Sequence, residues 1–301
     1  MLIPVVLAVA FVVFGLMSIS ADPTYIILGD EATPEDVARV RSDLGLDDPI
    51  FVRFFNYMLD VVQGNLGYSF MLKRPVSVLY QAGIPYTIIL ALAALAVNLV
   101  IGIPIGIYSA LHRGRWSDAV ISTVSMFGMA MPNFWLGVML IYFFALQLGW
   151  LPPFGATDPL GIVMPALTLG ISMAGHTVRT VRSAMLDVIK QDYLNTARAK
   201  GMPRRKVVWR HALRNALIPI VTVVGGQMAG LFGGTVVVET VFSWPGIGKY
   251  IVSGIKQGDY PTVTGLIIVI TIVSTVILLL VDIVYAFVDP RIKAQYSRRR
   301  T

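Results

Sequence analysis

The sequence contains no cysteine, which removes disulfides, thiolate metal sites and thiol nucleophiles together. Charge is also scarce, at 14% of the 301 residues. Only three histidines are present, His112, His176 and His211, and their spacing matches no metal-ligand pattern. No Ser, His and acid cluster stands out along the chain. Gly248-Lys249-Tyr250 falls short of a phosphate loop, lacking the upstream Gly at the required spacing and the Ser or Thr after Lys. The chain is therefore expected to hold no catalytic site, no metal and no cofactor of its own. It also lacks long low-complexity tracts and a repeat shared by its halves.

What it has in quantity is apolar sequence. Hydrophobic residues make up 56% of the chain, and the runs reach the roughly 20 residues that a helix needs to cross a bilayer. Hydropathy predicts an all-α, polytopic membrane protein with six spans: Leu2 to Ser20, Ile84 to Leu111, Ala119 to Leu148, Ile162 to Val181, Ala216 to Val238, and Val263 to Val288. The first span reads as an anchor rather than a cleaved signal, because no basic stretch precedes it and no small-x-small site closes it. The expected organisation is a first helix (1–20), a folded outer segment (21–80), a five-span core (81–288) with a long loop at 183–215, and a basic tail (289–301).

A net charge of +7 raises the possibility of nucleic acid, but its distribution points to membrane orientation. Residues 21–80 carry nine acids and five bases, whereas residues 183–215 carry eight bases and two acids. Further bases lie at Arg113, Arg115 and along the tail from Arg291. Because Lys and Arg collect in cytoplasmic loops, both termini are expected to be cytoplasmic.

The outer segment carries folding signals of its own. Thr33 suits a helix N-cap, with Pro34 in the first turn, Asp36 completing a box-like pattern and Gly45 ending the helix. After Pro49, the residues Phe51, Phe54, Phe55, Met58, Leu59 and Val62 recur at helical spacing until Gly64. This stripe reads first as a surface packed on the membrane face, and second as a docking surface for an extracytoplasmic partner.

The most informative stretch is Asp187 to Asn215. It predicts two short helices joined at Lys200-Gly201-Met202-Pro203, with Gly201 suited to a left-handed C′ position and Pro203 to the next first turn. Leu186, Ile189, Tyr193 and Ala197 share one face of the first helix; Val208 and Ala212, with Trp209 nearby, share one face of the second. Three readings compete: an amphipathic hairpin at the inner leaflet, a DNA-binding helix-turn-helix, and a lever driven by a cytoplasmic motor. Composition alone favours the hairpin. Tethering at both ends to spans, with no third supporting helix, argues against DNA.

The run Asp192-Tyr193-Leu194-Asn195-Thr196-Ala197-Arg198-Ala199-Lys200-Gly201, continuing to Arg210-His211-Ala212-Leu213-Arg214-Asn215-Ala216-Leu217-Ile218-Pro219, resembles the coupling loop of binding-protein-dependent ABC importers in their oligopeptide/dipeptide form. Asn195 and Thr196 depart from the Glu-Ala that opens the wider pattern, whereas Ala197 and Gly201 match it. Further similarity lies in Gly64-Asn65-Leu66-Gly67, Met131-Pro132-Asn133-Phe134, the stretch from Val238-Glu239-Thr240 to Gly246-Ile247-Gly248, and Asp289-Pro290-Arg291. The resemblance implies a permease paired with a second, homologous permease, two ATPases that bind ATP and Mg²⁺, and an extracytoplasmic binding protein, in a prokaryotic inner membrane. It further implies that Asp192, Tyr193 and residues Asn195 to Gly201 couple to the ATPases, and that the external loop with Trp244, Lys249 and Lys256 meets the binding protein. It implies an N-terminus that begins upstream of Met1, since the family has a short basic stretch there. Peptides are the family's commonest cargo, alongside nickel chelates, glutathione and saccharides. On hydropathy alone, the strongest rival is a stand-alone channel or secondary transporter.

Polar groups within spans mark candidate sites because they are costly there. Asp282 is expected to form a structural ion pair with Arg179 or Arg182, both of which can also snorkel. Asn98 suits a hydrogen bond between helices, and His176 suits packing. Gly226, Gly230 and Gly234 repeat every four residues, a pattern that permits close helix approach and leaves a smooth face on which a path for varied cargo is the alternative.

Overall fold

Helices dominate the computed structural model, which describes residues 2–20, 23–29 and 32–288. The basic tail therefore lies outside the described residues, as do the side chains of Arg198 and Asp282. In chain order the elements begin with α1 (Leu2–Ser20), α2 (Pro23–Leu28), α3 (Pro34–Asp43) and α4 (Ile50–Val62), followed by a two-stranded hairpin, β1 (Tyr68–Ser69) and β2 (Arg74–Pro75). Next come α5 (Val76–Leu111), α6 (Trp116–Ala130), α7 (Asn133–Leu140) with a π-helical extension Ile141–Gln147, and α8 (Val163–Ile189). The chain continues through α9 (Asp192–Ala199), α10 (Arg204–Lys206), a π-helical stretch Val207–Ala212, α11 (Leu213–Val241), α12 (Ile247–Gln257) and α13 (Tyr260–Val288).

Among the described residues, four helical stretches are long and apolar enough to cross a membrane: Val76–Leu111, Pro159–Ile189, Val207–Met228 and Tyr260–Val281. A fifth is added if α6 and α7 with its extension count as one span, but these are bent by 103°. The bend breaks the span expected from Ala119 to Leu148 into two helices. Pro132 has no N–H to continue the ladder and holds Met131 extended, at φ −72° and ψ 126°. Pro4–Ile19 is apolar but shorter.

One compact unit comprises Met1–Ile89 and Thr235–Thr275. Thr33 caps α3, its hydroxyl oxygen accepting from the Asp36 N–H at 3.2 Å. The α4 stripe turns one side to α1, where Phe54 packs edge-on to Phe11 and Phe14, and Tyr57 stacks on Phe14. Leu66, Val76, Ile247, Ile251 and Leu266 form a buried cluster. The buried carboxylate of Asp259, the residue before α13, accepts from the Phe70 N–H at 3.2 Å, the Thr262 hydroxyl at 2.7 Å and the Ser69 hydroxyl, so one acid ties the hairpin to a helix start.

The other unit comprises Leu90–Gly234 and Val276–Thr301. Its central element is α8, which is surrounded on several sides. A Cβ at Gly102 would lie 2.8 Å from the Thr177 side chain, and one at Gly106 would lie 2.6 Å from Val181 Cβ and 2.9 Å from the Val178 carbonyl oxygen. Close approach therefore belongs to this Gly-x-x-x-Gly pair on α5, and to Gly225, which faces Val281. Among the described residues, nothing lies within 4 Å of a Cβ at Gly226 or Gly230, and one at Gly234 would make only ordinary contacts with Leu169 and Asn133. Of the three glycines expected to pack, Gly234 therefore meets a neighbouring helix, while Gly226 and Gly230 meet none among the described residues. Gly106→Ala is expected to cost about 1–3 kcal/mol, because the Val178 carbonyl cannot yield as a side chain can. Gly226→Ala should fall within about 0.5 kcal/mol of the parent. Thermal melting of the purified, detergent-solubilised protein checks the pair, and equal melting temperatures would refute it.

Candidate functional site

The loop that leaves α8 turns at Lys190 and forms α9 within two residues. One residue fixes α9: Leu194 is fully buried, in a cluster with Val181, Met185, Val207, Ala212 and Ala216. Its neighbour Tyr193, expected on the packed face, is 41% exposed, and its hydroxyl accepts from Asn215 Nδ2 at 2.8 Å. Asp192, Asn195, Thr196, Ala199, Lys200 and Gly201 are exposed, and Ala197 is half-buried. Gly201 takes φ +74°, the left-handed turn that ends α9.

The second expected helix is not a separate element. From Arg204 the chain runs through the π-helical stretch straight into α11, with Val207, Val208 and Ala212 buried and Trp209 exposed. Thus α9 is joined by short connections to α8 on one side and α11 on the other. Beside this joint, Arg182 on α8 forms a two-point pair with the buried Asp118, Nε to Oδ1 at 2.7 Å and Nη2 to Oδ2 at 2.8 Å. Asp118 also accepts from the Ser109 hydroxyl at 2.6 Å and the Gly114 N–H at 3.0 Å. The acid expected opposite Arg182 was Asp282; Asp118 fills that role, and sequence reasoning missed it by reading the 112–118 turn only for its bases.

Deeper in this unit, Gln227 links three helices. Its Oε1 accepts from Asn98 Nδ2 at 2.9 Å and from the Thr177 hydroxyl at 3.3 Å, and its Nε2 donates to the Met173 carbonyl at 3.1 Å. Asn98, fully buried, therefore does bridge helices. His176 is exposed rather than packed, as is Arg179, which has no ion-pair partner among the described residues.

The contacts of Thr177 with Gln227, and of Leu169 with Gly234, run in opposite order along α8 and α11, so these helices are antiparallel. On each, the exposed residues lie about a quarter turn from the contact: His176, Arg179 and Ser183 on α8, and Thr222, Gly226, Gly230 and Gly233 on α11. Antiparallel pairing puts both stripes on the same side. No large hydrophobic residue is exposed along α8, and along α11 only Val237 is, among the described residues. By contrast α5 exposes Val100 at 72% and α13 exposes Leu280 at 54%. The α8–α11 face is therefore unlike the surfaces that suit acyl chains.

In the first unit, Lys249 and Lys256 are exposed seven residues apart on α12, one face of a helix. Trp244 is not part of that surface: it is 4% exposed, and its indole N–H donates to the Tyr86 carbonyl at 3.0 Å. The element is held from below by Glu239, a fully buried acid that sequence reasoning noted only within a motif. Its carboxylate accepts from the Thr87 hydroxyl at 2.7 Å and the Gly248 N–H at 2.6 Å, and Thr87 in turn accepts from the Ile247 N–H at 3.0 Å. The Gly248 backbone donor, which a phosphate loop would need, is thus committed to a carboxylate.

Comparison with known proteins places this geometry. Residues 102–294 match the model of the binding-protein-dependent transport system inner membrane component, and residues 1–91 match the model of the N-terminal part of such membrane components. The chain is 40% identical to the glutathione transport system permease protein GsiC of Salmonella choleraesuis (strain SC-B67), over 97% of this chain and 96% of that protein. It is 38% identical to GsiC of Escherichia coli (strain K12) over the same shares. A solved inward-facing MetNI methionine ABC transporter chain shares the fold with a TM-score of 0.59 at 19% identity, covering 70% of this chain and 96% of that one. The chain belongs to the family of binding-protein-dependent transport system inner-membrane components, and is a permease subunit of an ABC importer.

Proposed function

We infer that the chain is one of two homologous permeases, each with six spans and cytoplasmic termini, that together form a path for peptides. The tripeptide glutathione, named for the GsiC relatives, belongs to that cargo class. Two partner ATPases bind ATP and Mg²⁺ and engage α9 through Asp192, Tyr193 and the exposed residues up to Gly201. An extracytoplasmic binding protein docks on the α12 surface with Lys249 and Lys256. The observation that carries the reading is the placement of α9, pinned by Leu194 and joined to both α8 and α11, whose common face is polar and smooth. A push on so short a helix is transmitted as rigid-body motion of two spans, which is what alternating access requires.

Affinity purification of the chain from its host membrane is expected to bring down a second permease and two ATPases, and uptake into proteoliposomes carrying this assembly should require ATP. Solute flux through the chain alone, without ATPases, would overturn the reading in favour of a channel or secondary transporter.

A further inference from the structure

We propose that Arg179 and His176 form a carboxylate-recognition step within the path, so that this permease itself favours anionic cargo. The inference rests on the reading of the α8–α11 face as the path.

The two arginines of α8 differ in their circumstances. Arg182 is committed to Asp118 by two hydrogen bonds, whereas Arg179, one turn earlier and on the open face, has no ion-pair partner among the described residues. Its planar set of donors is matched to a carboxylate. His176 stands three residues away on the same face, and side chains at that spacing start about 5–6 Å apart, so both can reach one carboxylate. The acids on these two helices are Asp187 and Glu239. Asp187 lies eight residues beyond Arg179, roughly 12 Å along the helix, and Glu239 is buried against Thr87 and Gly248. Among the described residues, the face therefore presents the Arg179 guanidinium with no acid to neutralise it.

Beside Arg179 and His176, on α11, Gly226, Gly230 and Gly233 leave clearance, since a Cβ there would meet nothing within 4 Å among the described residues. A carboxylate passing this point loses water in a low-dielectric setting, and the guanidinium offsets that loss. A cationic cargo meets like charge instead. A lipid phosphate is a poorer match, because the face lacks the large exposed apolar side chains found on α5 and α13.

The test uses the whole transporter with its binding protein in proteoliposomes. The probe is a pool of di-, tri- and tetrapeptides plus glutathione, each as free acid and as C-terminal amide, with ATP-dependent uptake read by mass spectrometry. The binding protein is the same in every arm, so any change in the acid-to-amide uptake ratio belongs to this chain. Arg179→Glu is expected to lower that ratio at least about tenfold, the scale of a charge-assisted hydrogen bond, and Arg179→Lys should restore most of it. An unchanged ratio, or equal loss of acids and amides, overturns the proposal. So does loss of a co-purifying anionic lipid with the ratio intact, which would make Arg179 a lipid contact. Wild-type vesicles that import none of the pool would instead refute the peptide-path reading, and the carboxylate step with it.

Discussion

Leu194→Asp is expected to abolish ATP-driven uptake, by roughly a hundredfold or more, while leaving the chain in the membrane. An eight-residue helix is not stable alone in water, so α9 depends on what holds it. Leu194 supplies its one fully buried side chain among the described residues, with the Tyr193–Asn215 hydrogen bond and the Gly201 turn as lesser restraints. A carboxylate in that cluster, without partner or water, costs several kcal/mol, and the helix swings out rather than bear it. The ATPases would then turn over against a loose segment. Leu194→Ala should be milder, with a loss of about 2–5 kcal/mol in local stability, and Leu194→Met milder still. Uptake and ATPase rate measured together in proteoliposomes check the series. Wild-type uptake by Leu194→Asp would mean that α9 transmits nothing.

Glu239→Ala is expected to destabilise the α12 element by about 2–6 kcal/mol, at about 1–3 kcal/mol for each of two buried donors left without an acceptor. The substitution strands the Thr87 hydroxyl and the Gly248 N–H, both buried. It also removes the acceptor oxygen at the N-terminal end of α12, where the helix dipole favours one. Glu239→Gln keeps the shape and one acceptor, but turns an NH₂ toward the Gly248 N–H, so an intermediate loss is expected. Thermal melting should drop by roughly 10 °C for the alanine variant, with hydrogen exchange rising first at residues 247–257. A melting temperature equal to that of the parent would show that the carboxylate is dispensable.

Hydrophobic runs were enough to place most helices, because an apolar stretch of this length has few alternatives. Local chemistry placed Thr33, Gly45 and Gly201, since caps and left-handed turns depend on near neighbours only. What the sequence concealed depends on partners far along the chain. Gly102 and Gly226 look alike in one dimension, yet among the described residues only the first meets another helix. Asp282 was the acid expected for Arg179 or Arg182, and Asp118 came to light only once the start of α6 was seen beside α8. Pro132 was legible as a motif member, but hydropathy averaging hid the 103° bend it produces. At the α9 joint, helical periodicity put Tyr193 inward; the short α9 is rotated so that Leu194 takes that place.

The Asp118–Arg182 pair also bears on how the chain is made. α8, with Arg179, Arg182 and His176, is far less apolar than α5 or α13, and arginine within a helix resists partition from the translocon into lipid by up to about 2.5–3.5 kcal/mol. Asp118 precedes Arg182 by 64 residues, so the counter-charge emerges from the ribosome first. By the time α8 is synthesised, its most demanding residue has a seat waiting, and the order of the chain becomes part of the means by which a polar span enters the bilayer.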